Sequence, residues 1–426
     1  MTFAGTPPGV PGIFLGKRHF EFDTRLGKLM SEAGLLVLNA GSSSLKFAVF
    51  DIQASGDSVA VVLRGQVSGI GARPIFHVST VDRAAHGPST PADVAELDNH
   101  QKAIAFALGW IKEQSGGMTL VGVGHRVVHG GRERDKPALV TSQLLHELDA
   151  LAPLAPHHQP HNLAAIRAVH ATAPELSQVA CFDTAFHACQ PEVARRLPLP
   201  RHLRDKGLQR YGFHGLSYEY ITAAVAGQND GKVPERLLVA HLGNGASLCA
   251  IKDGRSIASS MGFSTLDGLL MGTRCGAIDP GVLLYLMSEG GLGEPELSDL
   301  LYNQSGLLGV SGISPDMQVL LDSDASGAAE AVELFCYTLV RAIGSMAAAL
   351  GGVDALVFTG GIGEHAAAVR AEVCEALAWL GLDFDPAANE SGAGLLSRPS
   401  SSVQVRVIPT NEELVIARHT LRLVNV

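Results

Sequence analysis

The chain of 426 residues lacks the features of disulfide-rich, zinc-binding or nucleic-acid-binding proteins. Its six cysteines are scattered, and no two of them form a Cys-x-x-Cys pair. Such cysteines are typical of reduced core residues in a cytoplasmic protein, and they do not have zinc-site spacing. No run of Lys or Arg is long enough to follow a phosphate backbone, and the net charge is -10. Nucleic acid is therefore not an expected partner.

Long hydrophobic runs are also scarce. No apolar stretch is long enough to span a bilayer, so no membrane partner is expected. The first residues lack the basic start and apolar stretch of a signal peptide, because 6–12 is rich in Pro and Gly and 17–28 is of mixed charge. We predict that residues 1–33 are a disordered extension and that the functional protein begins near Met30. The rest has a globular composition, 46% hydrophobic and 17% charged over the whole chain.

One local pattern occurs twice in the chain, at an offset of 202 residues. Each copy has an apolar strand, a turn of small residues and a second apolar strand, which predicts a β-hairpin. Coincidence is one explanation of the match. The functional one is a duplicated domain, whose two hairpins offer backbone N–H groups to phosphate from opposite sides of a cleft. The matched residues are Leu35/Leu237, Leu36/Leu238, Val37/Val239, Gly41/Gly243, Ala48/Ala250 and Asp51/Asp253.

Helical and strand patterns alternate along the rest of the chain, which predicts α/β layers. We predict a helix over 101–112, a buried strand over 179–183, a long helix over 328–350 stopped by two glycines, and a buried strand over 354–359. The glycine-rich turn 360–363 follows that last strand, and a helix is predicted to open at Glu364. A strand, glycine turn and helix start can hold nucleotide phosphates or ribose, although a plain connection has the same pattern.

Several charged side chains lie in glycine-rich or apolar surroundings. Arg126 is in an apolar strand pattern, and Arg274 lies between glycines. A buried Arg either pairs with an acid or awaits an anion. Each candidate alone also fits a structural role, such as a surface Arg or a helix-capping Asp. Together with the glycine turns, they favour phosphate chemistry. The further candidates are Asp183, His214 and Glu412.

Eight segments, taken together, resemble the acetate kinase family and run in the same order from about Leu35 to the C-terminus. They are NAGSSSLKF (39–47), GHRVVHGG (124–131), FDTAFH (182–187), YGFHG (211–215), HLGNGAS (241–247), MGFSTLDGLLMGTRCG (261–276), FTGGIGE (358–364) and PTNEEL (409–414). The resemblance implies an α/β fold of duplicated ribonuclease-H-like (actin-like ATPase) domains flanking a central cleft. It divides the chain into an N-terminal domain (34–184 plus 413–426) and a nucleotide-binding C-terminal domain (185–412). It also implies a last helix that crosses back to the first half, and a homodimer.

The resemblance further implies a reversible kinase that transfers a phosphoryl group from ATP to acetate with Mg2+, or Mn2+, giving acetyl phosphate and ADP. The implied catalytic residues are Arg126, Asp183, His214 and Arg274. The implied acid-binding residues are Arg126, Val128, His158 and Phe213. Those implied for the nucleotide are Ser42, Ser44, Lys46, His241, Gly243, Asn244, Gly245, Asp316, Met317, Gln318, Gly361, Ile362 and Gly363. The implied metal-binding residues are Asn39 and Glu412.

Three positions depart from the pattern of that family. His157 stands where Leu is usual, and a polar ring in the wall of the alkyl slot would change which acid fits. Thr265 replaces a Pro near the acid pocket, and Gln318 replaces an Arg on the nucleotide side, which leaves nucleotide preference open. The alternatives are therefore a propionate or butyrate kinase, an actin-like ATPase switch without a small-acid substrate, and an inactive scaffold.

Overall fold

A computed structural model describes residues 33–53, 58–80, 94, 97–114 and 117–424. The predicted N-terminal extension lies outside these residues, except for Ala33. The strands are β1 (Ala33–Ala40), β2 (Ser44–Ile52), β3 (Val59–Ser68), β4 (Ile75–Thr80), β5 (Thr119–Val127), β6 (Ala138–Leu139), β7 (Ser177–Phe182), β8 (Arg236–Leu242), β9 (Ala246–Lys252), β10 (Arg255–Ser259), β11 (Ala355–Thr359) and β12 (Gln404–Val407).

The helices alternate with these strands, as the sequence predicts. They are α1 (His100–Gln114), α2 (Ser142–Asp149), α3 (Gln159–Thr172), α4 (Glu192–Arg195), α5 (Arg201–Asp205), α6 (Gly215–Gly227), α7 (Pro280–Ser288), α8 (Glu294–Asn303), α9 (Gly306–Ser311), α10 (Met317–Leu321), α11 (Ser326–Leu350), α12 (Gly360–His365), α13 (Ala367–Ala376), α14 (Pro386–Glu390) and α15 (Glu412–Leu423). Single 3-10 turns lie at Ala152–Leu154, Ala185–His187 and Ala378–Leu380.

The strands form two mixed sheets that share one topology. The first sheet has the order β4-β3-β2-β1-β5-β7-β6, and the second has the order β10-β9-β8-β11-β12. In the first, β3, β2 and β1 are antiparallel, and β5 and β7 then continue parallel to β1. In the second, β10, β9 and β8 are antiparallel, and β11 and β12 continue parallel to β8. This repeated arrangement confirms the predicted duplication.

The two hairpins match in their first strands but are one residue out of register in their second strands. In the first hairpin Ala48 pairs with Val37. The residue equivalent to Val37 is Val239, and it pairs with Cys249. The reason is turn length, since four residues separate the last paired positions in the first hairpin and three in the second. Because successive residues of a strand face opposite sides, two predicted matches are wrong: Ala48 with Ala250, and Asp51 with Asp253.

The helix after β11 begins earlier than predicted, at Gly360 rather than at Glu364. Gly360 has a φ of 77°, so the chain turns directly from the strand into the helix without a loop. A β-carbon built at this position would lie 2.8 Å from the carbonyl oxygen of Leu242. The Glu364 carboxylate accepts the Gly360 N–H at 2.8 Å and the Thr410 N–H at 3.2 Å. Glu364 thus caps the helix and ties it to the segment after β12.

The C-terminal helix α15 returns to the first sheet, as predicted. Val415 and Ile416 pack with Leu35 and Val37 on one face of that sheet, and α1 and α3 cover the other face. Helix α6 lies between the two halves. Its residue Leu216 packs in the cluster with α15, whereas the following turns pack against β8 and β9.

The long helix α11, predicted over 328–350, alone among the described helices has the length and hydropathy to span a membrane. The sequence prediction that no apolar stretch is long enough to span a bilayer is therefore wrong for this helix. One third of its most apolar window is buried. It packs against β9, β10 and α13 and ends at Gly351 in the left-handed conformation, as the core helix of a globular protein does.

Candidate active site

The carboxyl ends of the parallel strands bring the candidate residues together in each half. In the first sheet, Asn39 is near the end of β1, Arg126 near the end of β5, and Asp183 directly after β7. In the second sheet, His241 is near the end of β8, beside Thr359 at the end of β11. Ligands of α/β sheets bind at this carboxyl edge.

Arg126 is held by two carboxylates. Its Nη2 donates to Oδ2 of Asp183 at 2.6 Å, and its Nε lies 3.0 and 3.1 Å from the two Asp183 oxygens and 3.7 Å from Oε2 of Glu412. The Asp183 side chain is 1% exposed and that of Arg126 is 25% exposed. Burial would lower the pKa of Arg126, but the carboxylates of Asp183 and Glu412 raise it above its usual value. Arg126 therefore stays charged and keeps one side open to the cleft.

Arg274 differs from Arg126, because no carboxylate among the described residues forms an ion pair with it. Its Nη1 donates to the carbonyl oxygen of Thr265 at 2.7 Å. Burial lowers the pKa of Arg274, and the nearby charge of Arg126 adds to this effect. A β-carbon built on Gly245 would lie 3.0 Å from Nη2 of Arg274 and 3.4 Å from Nε2 of His214. The three residues thus meet, and a half-buried cation without a counter-charge favours an anion there.

His214 precedes α6 in the left-handed conformation, with a φ of 57°. Its Nδ1 is 2.9 Å from Oγ of Ser247, and the Tyr218 hydroxyl is 2.5 Å from the same oxygen. Burial, assisted by the charges of His241 and the two arginines, lowers the pKa of His214 well below its usual value, so the ring is neutral at pH 7. Burial raises the pKa of Tyr218 well above its usual range. Tyr218 therefore keeps its proton.

The two hydroxyls and His214 form a chain of hydrogen bonds that favours one tautomer of the ring. If Tyr218 donates to Ser247, then Ser247 donates to Nδ1 of His214, and the ring N–H is on Nε2, towards Gly245. The His214 ring also stacks on the ring of His241, with centroids 4.3 Å apart. Sequence reasoning missed Ser247 and Tyr218 as partners of His214. The signal for Ser247 was its place in the HLGNGAS segment, but nothing in the sequence pointed to Tyr218.

An apolar pocket wall lies beside these groups. Val128 and Phe213 are buried in one hydrophobic cluster with Ala155 and Tyr211. The ring of His129 lies 4.4 Å from that of Tyr211, a contact that the sequence did not predict.

His158 is the N-cap residue of α3 and is half-buried. Burial, followed by the charges of Arg274 and Arg126, lowers the pKa of His158 to about 4. His158 is therefore neutral at pH 7, and the charges of both arginines act on it.

His157 lies beside Tyr302 and Ser298 of α8. The side chain is exposed, its ring centroid lies 4.5 Å from that of Tyr302, and its Nε2 is 3.5 Å from Oγ of Ser298 on α8. It therefore contacts a helix of the second half. At Thr265 the group that meets Arg274 is the backbone carbonyl, which a Pro at this position would also supply.

The residues predicted for the first phosphate-facing hairpin lie at its tip. Ser42 and Lys46 are exposed, and Ser44 is half-buried. The backbone of the turn is fixed from outside, because Nε2 of His100 contacts the Gly41 carbonyl oxygen at 2.6 Å. Nδ2 of Asn162 donates to the carbonyl oxygen of Ala40 at 2.8 Å. This leaves short side chains and backbone at the tip, open to a ligand.

Six of the nucleotide candidates of the second half lie in two glycine-rich turns. Gly243, Asn244 and Gly245 form the turn between β8 and β9, and Gly361, Ile362 and Gly363 form the first turn of α12. Both turns lie at the same carboxyl edge of the sheet, since β8 and β11 are neighbours. The buried Arg370 donates to the Gly363 carbonyl oxygen at 3.0 Å and fixes α12 from below.

The segment 316–318, also predicted for the nucleotide, lies at the start of α10. Asp316 caps α10 by accepting the Gln318 N–H at 2.8 Å. Met317 is buried in the core of the second half. The side chain of Gln318 is exposed and donates to both oxygens of Asp322 at 3.0 Å. Of the three side chains, that of Met317 is therefore buried and not accessible to solvent.

The oxygen donors near Arg126 fit Mg2+ that arrives with a polyphosphate. No group of three or more His, Cys, Asp or Glu within the described residues is arranged as a metal site. Asp183 and Glu412 nevertheless both contact Arg126, and Asn39 lies at the same sheet edge. Mg2+ is usually held by one or two carboxylates, phosphate oxygens and water. Such a site needs no larger protein cage.

Buried histidines predict a stability that is lost in acid. Burial lowers the pKa of His125, His129 and His187 to about 4 from 6.5. The unfolded chain therefore binds more protons than the folded one between these values. We expect the free energy of unfolding to fall as the pH is lowered from about 6.5 to 4, by up to about 1.4 kcal/mol per pH unit for each histidine.

Urea unfolding at several pH values measures this dependence. His125→Gln should reduce the slope of the free energy of unfolding against pH below pH 6.5 by the contribution of one histidine. This holds whatever the substitution does to stability at pH 7.5. The exposed His170 supplies the control, since His170→Gln should keep the slope of the parent chain. An unchanged slope in His125→Gln would contradict the assignment of buried, neutral histidines.

Comparison with known proteins agrees with this geometry. Residues 34–418 match the model of the acetokinase family. The chain is 52% identical over 396 residues to the acetate kinase of Rhodopseudomonas palustris (strain TIE-1), covering 91% of this chain and 98% of that protein. It is 42% identical over 391 residues to the acetate kinase of Rickettsia felis, with 91% and 98% covered.

Solved structures of similar proteins have the same fold. Porphyromonas gingivalis acetate kinase superimposes with a TM-score of 0.82 at 35% identity, covering 92% of this chain and all of that one. A propionate kinase from Francisella tularensis superimposes with a TM-score of 0.85 at 34% identity and the same coverage. These are kinases of the duplicated, actin-like fold, as the two matching sheets require. The chain belongs to the acetokinase family.

Proposed function

We propose that this chain catalyses the reversible, magnesium-dependent transfer of a phosphoryl group from ATP to acetate, giving acetyl phosphate and ADP. The observation that carries the proposal is Arg274, a half-buried cation without a carboxylate partner among the described residues, beside Nε2 of His214 and the glycine turn at Gly245. Such a site suits a transferring phosphoryl group, whose charge spreads over three oxygens. The identity to acetate kinases over most of the chain supports acetate as the acid.

The acid would bind between the apolar wall and the arginines. Val128 and Phe213 would contact the methyl group, and the open side of Arg126 would hold the carboxylate. His158 is neutral and would add a polar contact without a competing charge. An acid that is already ionised needs no general base, so positioning and charge stabilisation supply the catalysis.

In the transfer step a carboxylate oxygen attacks the γ-phosphorus in line. The new bond forms from that oxygen to phosphorus, while the bond from phosphorus to the bridging oxygen breaks and its electron pair stays on ADP. Arg126, Arg274 and the Nε2–H of His214 would donate to the oxygens of the phosphoryl group as charge develops. Asn39, Asp183 and Glu412 would hold Mg2+, which neutralises polyphosphate charge when bound.

The nucleotide would lie between the two hairpin tips and α12. Backbone N–H groups near Ser42 and Gly243 would contact phosphates from both sides, and Lys46 would add a charge. Gly361 and its neighbours at the start of α12 would border the adenosine. The glycines support this, because side chains there would fill the space that the ligand needs.

Gly245→Ala is expected to lower kcat by at least about 10-fold, because displacement of reacting groups by fractions of an ångström is costly. The added methyl group would lie 3.0 Å from Nη2 of Arg274 and must displace that side chain or His214. The backbone at Gly245 does not have a positive φ, so Ala adds no backbone strain. Steady-state kinetics on the purified variant measure the effect.

Gly109→Ala is the control for that substitution. Gly109 lies on the exposed side of α1, and nothing is within 4 Å of a β-carbon built there. Its kcat should equal that of the parent chain, and its stability should rise slightly, by up to about 1 kcal/mol. If both variants had the kcat of the parent chain, Gly245 would not lie beside the reacting groups.

The function itself is tested by incubating the protein with Mg-ATP and formate, acetate, propionate or butyrate, and trapping the acyl phosphate as its hydroxamate. Acetate should be the best acceptor, and omission of Mg2+ should abolish the product. Product formed only with longer acids would change the substrate and keep the reaction. ATP hydrolysis without any acyl phosphate would replace the proposal by an ATPase switch.

We also propose the assembly, domain division and location that the family resemblance implies. Helix α7 buries none of its residues, although Leu284, Tyr285 and Met287 are large and apolar, and α11 leaves Tyr337 exposed. Such surfaces support a homodimer through the second half. The proposed domains are 34–184 plus 413–426, and 185–412, in a cytoplasmic protein. Sedimentation at several concentrations tests the dimer.

A further inference from the structure

A polar pocket lies outside the cleft. It encloses about 240 Å³, and none of its lining residues has a role in the proposed reaction. One lining residue, Arg132, follows the GHRVVHGG segment of the first half, and the others come from α4, α5 and the segment that leads to Phe213. We call it the arginine pocket; it is lined by Arg132, Glu192, Arg195, Arg196, Arg204, Asp205 and Gln209.

The charges of the arginine pocket are unbalanced. Four guanidinium groups face two carboxylates, which leaves two positive charges in a chain of net charge -10. Glu192 is already shared, because its Oε1 lies 2.8 Å from Nη2 of Arg196 and 3.2 Å from Nη1 of Arg204. Neither Arg132 nor Arg195 forms an ion pair with a carboxylate among the described residues.

One guanidinium nitrogen of Arg195 lacks a hydrogen-bond partner although it is buried. Its Nε is buried and has no hydrogen-bond acceptor. A buried, charged donor that is left unsatisfied is unfavourable by more than a neutral one. The backbone of Arg195 is fixed, since its carbonyl oxygen accepts the N–H of Arg210 at 2.8 Å. Arg195 therefore lines the pocket as a fixed cation without a carboxylate partner among the described residues.

We propose that the arginine pocket binds a small oxyanion with two or more negative charges, of the phosphate or polycarboxylate class. The volume is below that of pockets for drug-sized ligands, so a nucleotide does not fit. Guanidinium groups bind both classes through paired N–H donors. The ligand would connect Arg132 of the first half to Arg195 of the second.

Calorimetric titration of the full chain with inorganic phosphate, and separately with propane-1,2,3-tricarboxylate, tests the proposal. At least one probe should bind the parent chain, and the Arg132→Gln/Arg195→Gln double variant should bind it about 10-fold or more weakly. Arg274→Gln should keep this binding, because it alters only the cleft. The probe that binds more tightly identifies the class of ligand.

Two further variants keep the result interpretable. Arg398→Gln removes one positive charge from an exposed arginine paired with Asp383, and its affinity should equal that of the parent chain. Arg132→Gln changes an exposed side chain, cannot disturb the Arg195 backbone, and should by itself weaken binding. The proposal is overturned if neither probe binds, if the double variant binds as the parent does, or if Arg274→Gln alone abolishes binding.

Discussion

Arg274→Ala is expected to lower kcat by about 10³-fold while the fold is retained, since a cation that stabilises a transferring phosphoryl group contributes on this scale. Arg274 makes no ion pair with a described carboxylate, and its Nη1 contact is to the Thr265 carbonyl. Its removal therefore leaves no buried acid without a partner. The effect should appear in kcat more than in the KM for acetate, because the contact strengthens in the transition state.

Acyl phosphate formation by the purified variant measures this loss, and urea unfolding verifies the fold. Added guanidinium should restore part of the activity of Arg274→Ala, because it can enter the space that the side chain leaves. Arg398→Ala is the matched control and should have the kcat of the parent chain. A kcat within a few-fold of the parent value would exclude Arg274 from phosphoryl transfer.

Asp183→Asn is expected to reduce both activity and stability. Asp183 is the buried acceptor for Nε and Nη2 of Arg126. Loss of one partner of a fully buried ion pair is destabilising by 3–5 kcal/mol, and the 25% exposure of Arg126 reduces the expected loss to about 2 kcal/mol. The substitution also removes one oxygen charge from the donors proposed for Mg2+, so the Mg2+ concentration for half-maximal rate should rise.

Asp149→Asn is the control, because it removes an ion pair that is exposed and lies outside the candidate site. Asp149 pairs with Arg167 at 2.5 Å, but both side chains are about half exposed. Exposed pairs contribute about 0–1 kcal/mol, so this variant should lose little stability and keep its Mg2+ dependence. If Asp183→Asn behaved like Asp149→Asn in urea and in the Mg2+ titration, Asp183 would have neither role.

The sequence predicted the duplicated fold because its strongest signals are local. The apolar strands, the small-residue turns and the stop at Gly351 each depend on neighbours in the chain, and each is where the pattern predicted it. The register of the second hairpin strand was predicted wrongly, because a turn shorter by one residue is invisible in an ungapped match. The start of α12 was missed because a φ of 77° at Gly360 replaces a loop.

For the candidate site, the sequence indicated residue types but not the contacts between them. Arg126 and Asp183 are 57 positions apart, and only the parallel pairing of β5 with β7 brings them together. Nothing in the sequence distinguished the paired Arg126 from the unpaired Arg274. The Tyr218–Ser247–His214 chain likewise depends on the packing of α6 against the second sheet. The roles of these residues in catalysis remain predictions for the experiments above.

The return of α15 to the first sheet also has a consequence for biosynthesis. Leu35 and Val37, among the first residues described, are covered by Val415 and Ile416, among the last. On the ribosome the first half therefore lacks the cover of one apolar sheet face until α15 has been translated. The second half contains its own long helix and can fold earlier. We therefore expect nascent chains stalled before α15 to bind chaperones through the first half, even though most of that half was synthesised first.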